Sequence, residues 1–262
     1  MIRTYLEMFG DFRMMISIAL AIPLALASCS ATSPEAAQEN ARAAETYFLR
    51  GEQLADEGRA HEAIDAYHAA IRAAPNFALA YYDLGNQYAK LGRFEPAIGS
   101  YKRAIQKDPT LLKAYNNLGL AYTANSEAEK SIVVLRRATG INPQYARGWN
   151  SLGSAYDSLG QHSKAILIFK QAIEVDPGYG DAYNNLGVAY ANLDLFGEAE
   201  DAYKRAIRIR PDDVNATFNL GQLYAATGET AKAEQQLLLL ESADPWKADS
   251  LRDAILRGVP IR

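Results

Sequence analysis

Asn116-Asn117 and Asn184-Asn185 stand inside two nearly identical phrases, AYNNLGLAY (Ala114–Tyr122) and AYNNLGVAY (Ala182–Tyr190), 68 residues apart. A primary amide both donates and accepts, so a row of asparagines can hold the N–H and C=O groups of an extended peptide whatever its side chains. Asn86, Asn150 and Asn219 fall close to the same phase, and Lys90, Lys113 and Arg147 add cations beside them. This is chemistry for binding rather than turnover. The chain has no P-loop and no G-x-S-x-G. Its only G-x-G, Gly178–Gly180, lies between helical patterns rather than after a strand, so the dinucleotide reading fails. The single cysteine, Cys29, excludes intramolecular disulfides and Cys-rich zinc sites, and three scattered histidines (His61, His68, His162) make no metal site. The expectation is a chain that is not an enzyme and carries no cofactor or metal.

The net charge of −4 is spread along the 262 residues, with no basic tract for nucleic acid and no acidic tail. Met14–Ala27 (MMISIALAIPLALA) is apolar except for Ser17 and follows Arg3 and Arg13, the layout of a signal peptide. It is shorter than the ~20 apolar residues that a membrane-spanning helix needs. Glu7 and Asp11 offset the two arginines, which places the true start further downstream as one option. Leu26-Ala27-Ser28-Cys29 resembles the lipobox of bacterial lipoproteins. That resemblance implies cleavage before Cys29, diacylglyceryl and acyl modification there, and a lipid-anchored chain. An ordinary secretory signal with Cys29 incidental is the alternative. Ser30, which is not aspartate, favours the periplasmic face of the outer membrane where the host has two membranes. The mature side-chain balance stays at −4, and Ser30 to about Arg42 reads as a tether that turns helical near the first folded element.

Beyond the tether the chain repeats. Gly51, Gly85, Gly119, Gly153, Gly187 and Gly221 are each 34 residues apart, and so are Pro75, Pro109, Pro143, Pro177, Pro211 and Pro245. With position 1 at Ala44, Ala78, Leu112, Ala146, Gly180 and Val214, large residues recur at positions 4, 7 and 11, one face of a helix. A breaker follows near position 15, and a second helix runs to the proline, before which helical backbone is disfavoured. Glycine inside a helix costs about 1 kcal/mol against alanine. The small residue at position 20 (Ala63, Ala97, Ser131, Ala165, Ala199, Ala233) is the expected reason for the six at position 8, through close crossing of the two helices. Twelve of the sixteen tyrosines occupy positions 4, 11 or 24 and read as core.

These residues resemble the tetratricopeptide repeat (TPR) family and its W-x-x-L-G-x-x-Y, A-x-x-x-F and P pattern over residues 44–245. The resemblance implies an all-α solenoid, a right-handed superhelix of six helix-turn-helix repeats with a C-terminal capping helix. The units are a signal peptide (1–28), a tether (29–43), repeats at 44–77, 78–111, 112–145, 146–179, 180–213 and 214–247, and a cap and tail (248–262). It also implies a concave groove lined by the first helix of each repeat, where a protein or peptide partner would lie. Positions 2, 5, 6, 9 and 13 lie opposite the packed face, which places Asn86, Asn116, Asn117, Asn150, Asn184, Asn185, Asn219, Arg147, Lys90 and Lys113 at the groove. Asparagine at position 6 is similar to the ladder in the TPR arm of O-GlcNAc transferases. The alternative is that asparagine is merely the repeat's consensus. Against the family's carboxylate-gripping pattern, Asn86 and Asn117 match, Arg147 supplies a cation in place of one lysine, and Tyr82 and Ser151 depart. Lys90, Lys113 and Arg147 make the centre cationic, while Glu45, Glu52 and Asp56 make the entrance acidic.

The expected function is a membrane-anchored scaffold of the bacterial envelope that captures extended segments. One role is in pilus or secretion-channel assembly; the alternatives are an adaptor for a periplasmic protease or cell-wall enzyme and, more distantly, the non-catalytic arm of a glycosyltransferase-type enzyme.

Overall fold

A computed structural model describes residues 33–258 and contains thirteen α-helices and no strand among them. Cys29 and the apolar run Met14–Ala27 lie outside the described residues. The chain divides into two units, Met1–Ala37 and Gln38–Arg262. Of the first, Ser33–Ala37 is described, and the Ser33 Oγ accepts the Ala36 N–H (3.2 Å) at the start of the first helix.

The inner helices are α1 (Pro34–Asp56), α3 (Ala78–Lys90), α5 (Leu112–Ala124), α7 (Ala146–Ser158), α9 (Gly180–Ala191) and α11 (Val214–Ala226). The outer helices are α2 (Ala60–Ala73), α4 (Phe94–Lys107), α6 (Ala128–Ile141), α8 (His162–Val175), α10 (Phe196–Ile209) and α12 (Thr230–Ala243). Each outer helix packs on its own inner helix and on the inner helix of the next repeat. α1 starts ten residues before repeat position 1, so much of the tether's sequence is helical. The capping helix α13 (Pro245–Arg257) starts three residues earlier than expected. Pro245 suits a first helical turn, Asp244 caps it by accepting the Lys247 N–H (3.1 Å), and Gly258 ends it at φ +54°.

Two backbone rules set the repeat's outline. The residue before each proline is pushed to extended geometry, as at Asp108 (φ −134°, ψ 95°) and Asn142 (φ −136°, ψ 99°), and the outer helix stops there. Position 15 is left-handed in every repeat. Four copies use glycine, but Ser126 (φ 60°) and Asp194 (φ 58°) hold the same conformation with a side chain. Non-glycine residues there cost about 1–2 kcal/mol.

The position-8 glycines have a different partner from the one expected. A Cβ on Gly85 would lie 2.6 Å from Cε1 of Tyr101, and one on Gly153 would lie 2.5 Å from Cδ1 of Phe169. The glycine therefore makes room for the large side chain at position 24, not for the alanine at position 20. In the last repeat the intruder is Leu251 of α13, at 2.5 Å, so the cap substitutes for the missing ring. The position-20 residues Ala63, Ala97, Ala165, Ala199 and Ala233 are nonetheless fully buried.

A second device ties neighbouring repeats together on the outer side. Position 25 of one repeat reaches the position-11 tyrosine of the next. His68 Nε2 lies 3.1 Å from the Tyr88 hydroxyl, Lys102 Nζ is 5.4 Å from the Tyr122 ring centre, and Lys170 Nζ is 5.7 Å from that of Tyr190. Arg136 stands over Tyr156 and donates to its hydroxyl. In the last rung Lys204 binds Glu200, which accepts the Tyr224 hydroxyl at 2.8 Å. Each cation–ring contact adds about 0.5–1 kcal/mol at an exposed site.

Candidate functional site: an asparagine-lined inner groove

The groove side is built from positions 5, 6 and 9 of the inner helices, and its amides bond chiefly to one another. Asn117 Nδ2 on α5 donates to Asn86 Oδ1 on α3 (2.9 Å) and to the Tyr82 hydroxyl (3.2 Å). The Tyr101 hydroxyl from α4 also donates to Asn86 Oδ1 (2.9 Å), and Asn86 Nδ2 donates to Asp83 Oδ1 (3.0 Å). A second chain runs across α7, α9 and α11. Asn185 Nδ2 donates to Asn150 Oδ1 (3.0 Å), and Asn219 Nδ2 donates to Asn184 Oδ1 (2.9 Å). Asn184 and Asn185 are joined only by a long 3.5 Å contact.

The residues read as groove-lining thus divide. Asn116 and Asn150 are buried, at 2% and 9% exposure, and act inside the stack between inner helices. Asn116 Nδ2 donates to Asn117 Oδ1 (3.3 Å), while its own Oδ1 accepts nothing. Asn86, Asn117, Asn184, Asn185 and Asn219 are half-buried and keep part of their amide capacity toward the groove. Lys90, Lys113 and Arg147 are exposed and join no ion pair among the described residues. Lys113 Nζ sits 4.4 Å from the Tyr82 ring centre. Asp83, beneath this cluster, has its pKa pushed up to about 6 by burial, with Lys113 opposing the shift. Burial likewise raises the Tyr145 and Tyr179 hydroxyls. Glu45, Glu52 and Asp56 are exposed on α1.

Two cavities open where this machinery recurs. One of 350 Å³ is lined by Asn86, Phe94, Tyr101, Asn117 and Leu120, with alanines at its floor. Another of 510 Å³ is lined by Val188, Asn192, Tyr203, Asn219 and Gln222, and is closed by Ala254 and Arg257 of α13. Asn117 and Asn219 are both position 6, and Tyr101 and Tyr203 are both position 24, three repeats apart. Each cavity pairs an asparagine amide and a tyrosine ring with apolar walls, a shape suited to one apolar side chain beside a peptide bond. Tyr101, Tyr203, Phe94 and Leu120 were not anticipated as lining residues. Their signal was present: tyrosine at position 24 followed by asparagine at the next position 6 occurs at these two sites alone. No group of three or more metal-ligating side chains occurs among the described residues, nor does any described helix have the length and apolarity to cross a membrane.

Family models described as TPR repeat or tetratricopeptide repeat match residues 85–126, 112–145, 150–214 and 195–249. A crystal structure of MamA protein is 33% identical, covering 65% of this chain and 93% of its own, with a TM-score of 0.56. The chain belongs to the tetratricopeptide repeat family. The structure of YrrB, described as a TPR protein with an unusual peptide-binding site, is 25% identical over 70% of this chain and 94% of its own, with a TM-score of 0.53. The pilF protein of Pseudomonas aeruginosa shares the TPR fold at 15% identity over 82% of this chain and 99% of its own, with a TM-score of 0.66. A search of curated protein sequences finds no match.

Proposed function

We propose that this TPR solenoid is a non-catalytic scaffold that captures an extended protein segment along its inner groove. The observation that carries this is the pair of cavities in the same register, each built from a position-6 asparagine and a position-24 tyrosine. A groove of half-satisfied amides holds backbone, and the cavities select side chains. The peptide-binding site named for YrrB supports the same use of the fold. The exposed acids on α1 and the exposed cations Lys90, Lys113 and Arg147 further along give the groove a direction for a segment of matching charge.

The wider reading we propose is of a lipoprotein of the bacterial envelope, anchored through Cys29 and serving pilus or secretion-channel assembly. The lipobox-like Leu26-Ala27-Ser28-Cys29 supports the anchor. The role in assembly is compatible with the fold shared with PilW, described as a type IV pilus biogenesis factor.

The groove is tested by selecting peptides on the full chain and measuring their affinity for Leu120→Arg and Gln222→Arg variants. Loss of about ten-fold or more is expected for each, since a charge would enter a half-apolar cavity. Unchanged affinity for both variants, or turnover of a substrate by the purified chain, overturns the reading. For the anchor, palmitate labelling of the wild type and its loss in Cys29→Ala are expected; an unlabelled wild type overturns it.

A further inference from the structure

The outer face of the central repeats is charged opposite to the chain as a whole. Helices α4, α6 and α8 carry eight lysines and arginines against three acids, Glu95, Glu129 and Glu174, in a chain of net charge −4. The outer helices on either side differ. On α2, Glu62 and Asp65 face one Arg72, and on α10, Glu198, Glu200 and Asp201 balance Lys204, Arg205 and Arg208. Of the eight cations only Lys130 joins an ion pair among the described residues, with Glu127. Arg137 and Lys170 rest on the rings of Tyr115 and Tyr190, 5.6 and 5.7 Å from their centres, and remain exposed.

Aliphatic side chains stand out from the same two repeats. Val133 on α6 is 70% exposed and Leu167 on α8 is 67% exposed, and both occupy position 22. In the other four repeats that position is Asp65, Gly99, Asp201 and Gln235. The apolar residues therefore occur where the face is cationic and nowhere else along that row. Lys130 and Lys164 precede them by three residues, and Arg137 follows Val133 by four, so cation and aliphatic share one stripe of each helix. A cationic face with projecting aliphatics matches a bilayer surface, where anionic headgroups meet the charges and the side chains enter the headgroup region. Nucleic acid would leave Val133 and Leu167 without a partner.

We propose that the outer face of α6 and α8, flanked by α4, seats on an anionic lipid surface. This stands apart from the groove reading, and its consequence is that the inner groove is held facing away from the membrane.

The test uses the full chain with vesicles of phosphatidylcholine, alone or mixed with phosphatidylglycerol. Binding to the neutral vesicles reports any contribution of the apolar N-terminal segment; the difference between the two reports this face. Arg137→Glu combined with Lys164→Glu is expected to weaken binding to the anionic vesicles by about ten-fold or more and to leave neutral vesicles unaffected. In a chain whose native Trp149 and Trp246 are replaced by phenylalanine, Leu167→Trp fluorescence is expected to be quenched by brominated acyl chains, and that of Gln235→Trp, the same position in the last repeat, is not. The charge-reversed and tryptophan-bearing positions are exposed, and unchanged helical content confirms folding. The proposal is overturned if the charge-reversed variant binds anionic vesicles like the wild type, or if both tryptophans quench equally. It is also overturned if Leu167→Trp responds to an acidic polypeptide but not to vesicles, which would assign the face to a protein.

Discussion

Replacing Gly85 by alanine puts two known quantities in opposition. In an unobstructed helix the change gains about 1 kcal/mol. Gly99, on the paired helix α4, provides that reference, because a Cβ there meets nothing within 4 Å. At Gly85 the new methyl would lie 2.6 Å from Cε1 and 2.7 Å from Cδ1 of Tyr101, a ring only 1% exposed whose hydroxyl is bound to Asn86. Forcing a methyl group into a packed core costs about 1–3 kcal/mol. Gly85→Ala should therefore lose about 0–2 kcal/mol against the wild type, while Gly99→Ala gains about 1 kcal/mol. The gap of about 1–3 kcal/mol corresponds to roughly 2–12 °C in melting temperature for a chain of this size. Calorimetry of both variants measures it. Because a solenoid need not unfold in one step, amide exchange in α3 and α4 should localise the change to that pair. Equal stability of the two variants would refute the assignment of Gly85 to the Tyr101 ring.

The left-handed turns at Ser126 and Asp194 should be relieved by glycine: Ser126→Gly and Asp194→Gly are each expected to stabilise by about 0.5–1 kcal/mol despite the greater freedom of the unfolded chain, read as a higher urea midpoint. Asp83 has a folded pKa of about 6, above the unfolded value near 3.9, so its burial penalty is absent below pH ~4 and fully present above pH ~6. Asp83→Asn should accordingly be more stable than the wild type at neutral pH, with the advantage vanishing as the pH falls toward 4, in urea midpoints measured across that range. An advantage independent of pH would show that charge is not the cause.

The repeat was legible because each marker acts locally: proline excludes helical backbone before it, and the 4, 7, 11 spacing lies on one helical face whatever the neighbours do. Contacts between helices were less so. The reason for glycine at position 8 was misplaced by one turn of the partner helix, since the spacing cannot tell which residue of the facing helix points at it. Asn116 and Asn117 are adjacent, yet the first is buried between inner helices and the second reaches across to Asn86. Adjacent helical residues diverge by about 100°, and the position of the next repeat decides which side is covered. The cavities escaped notice for the same reason, because each needs two successive inner helices and one outer helix to meet.

The rungs from position 25 to position 11 bear on how such a chain can change length. Removing residues 112–145 would bring Lys102 to Tyr156, a pairing of the same kind as the Lys102–Tyr122 contact it replaces. Loss or duplication of a whole unit in the gene therefore rejoins compatible surfaces, whereas a cut out of phase breaks every rung at the seam. Removing residues 146–179 instead, which spares the lining of both cavities, would bring them from three repeats apart to two. The length of segment the groove measures is in this sense a countable, heritable quantity, adjustable one repeat at a time without redesigning any contact.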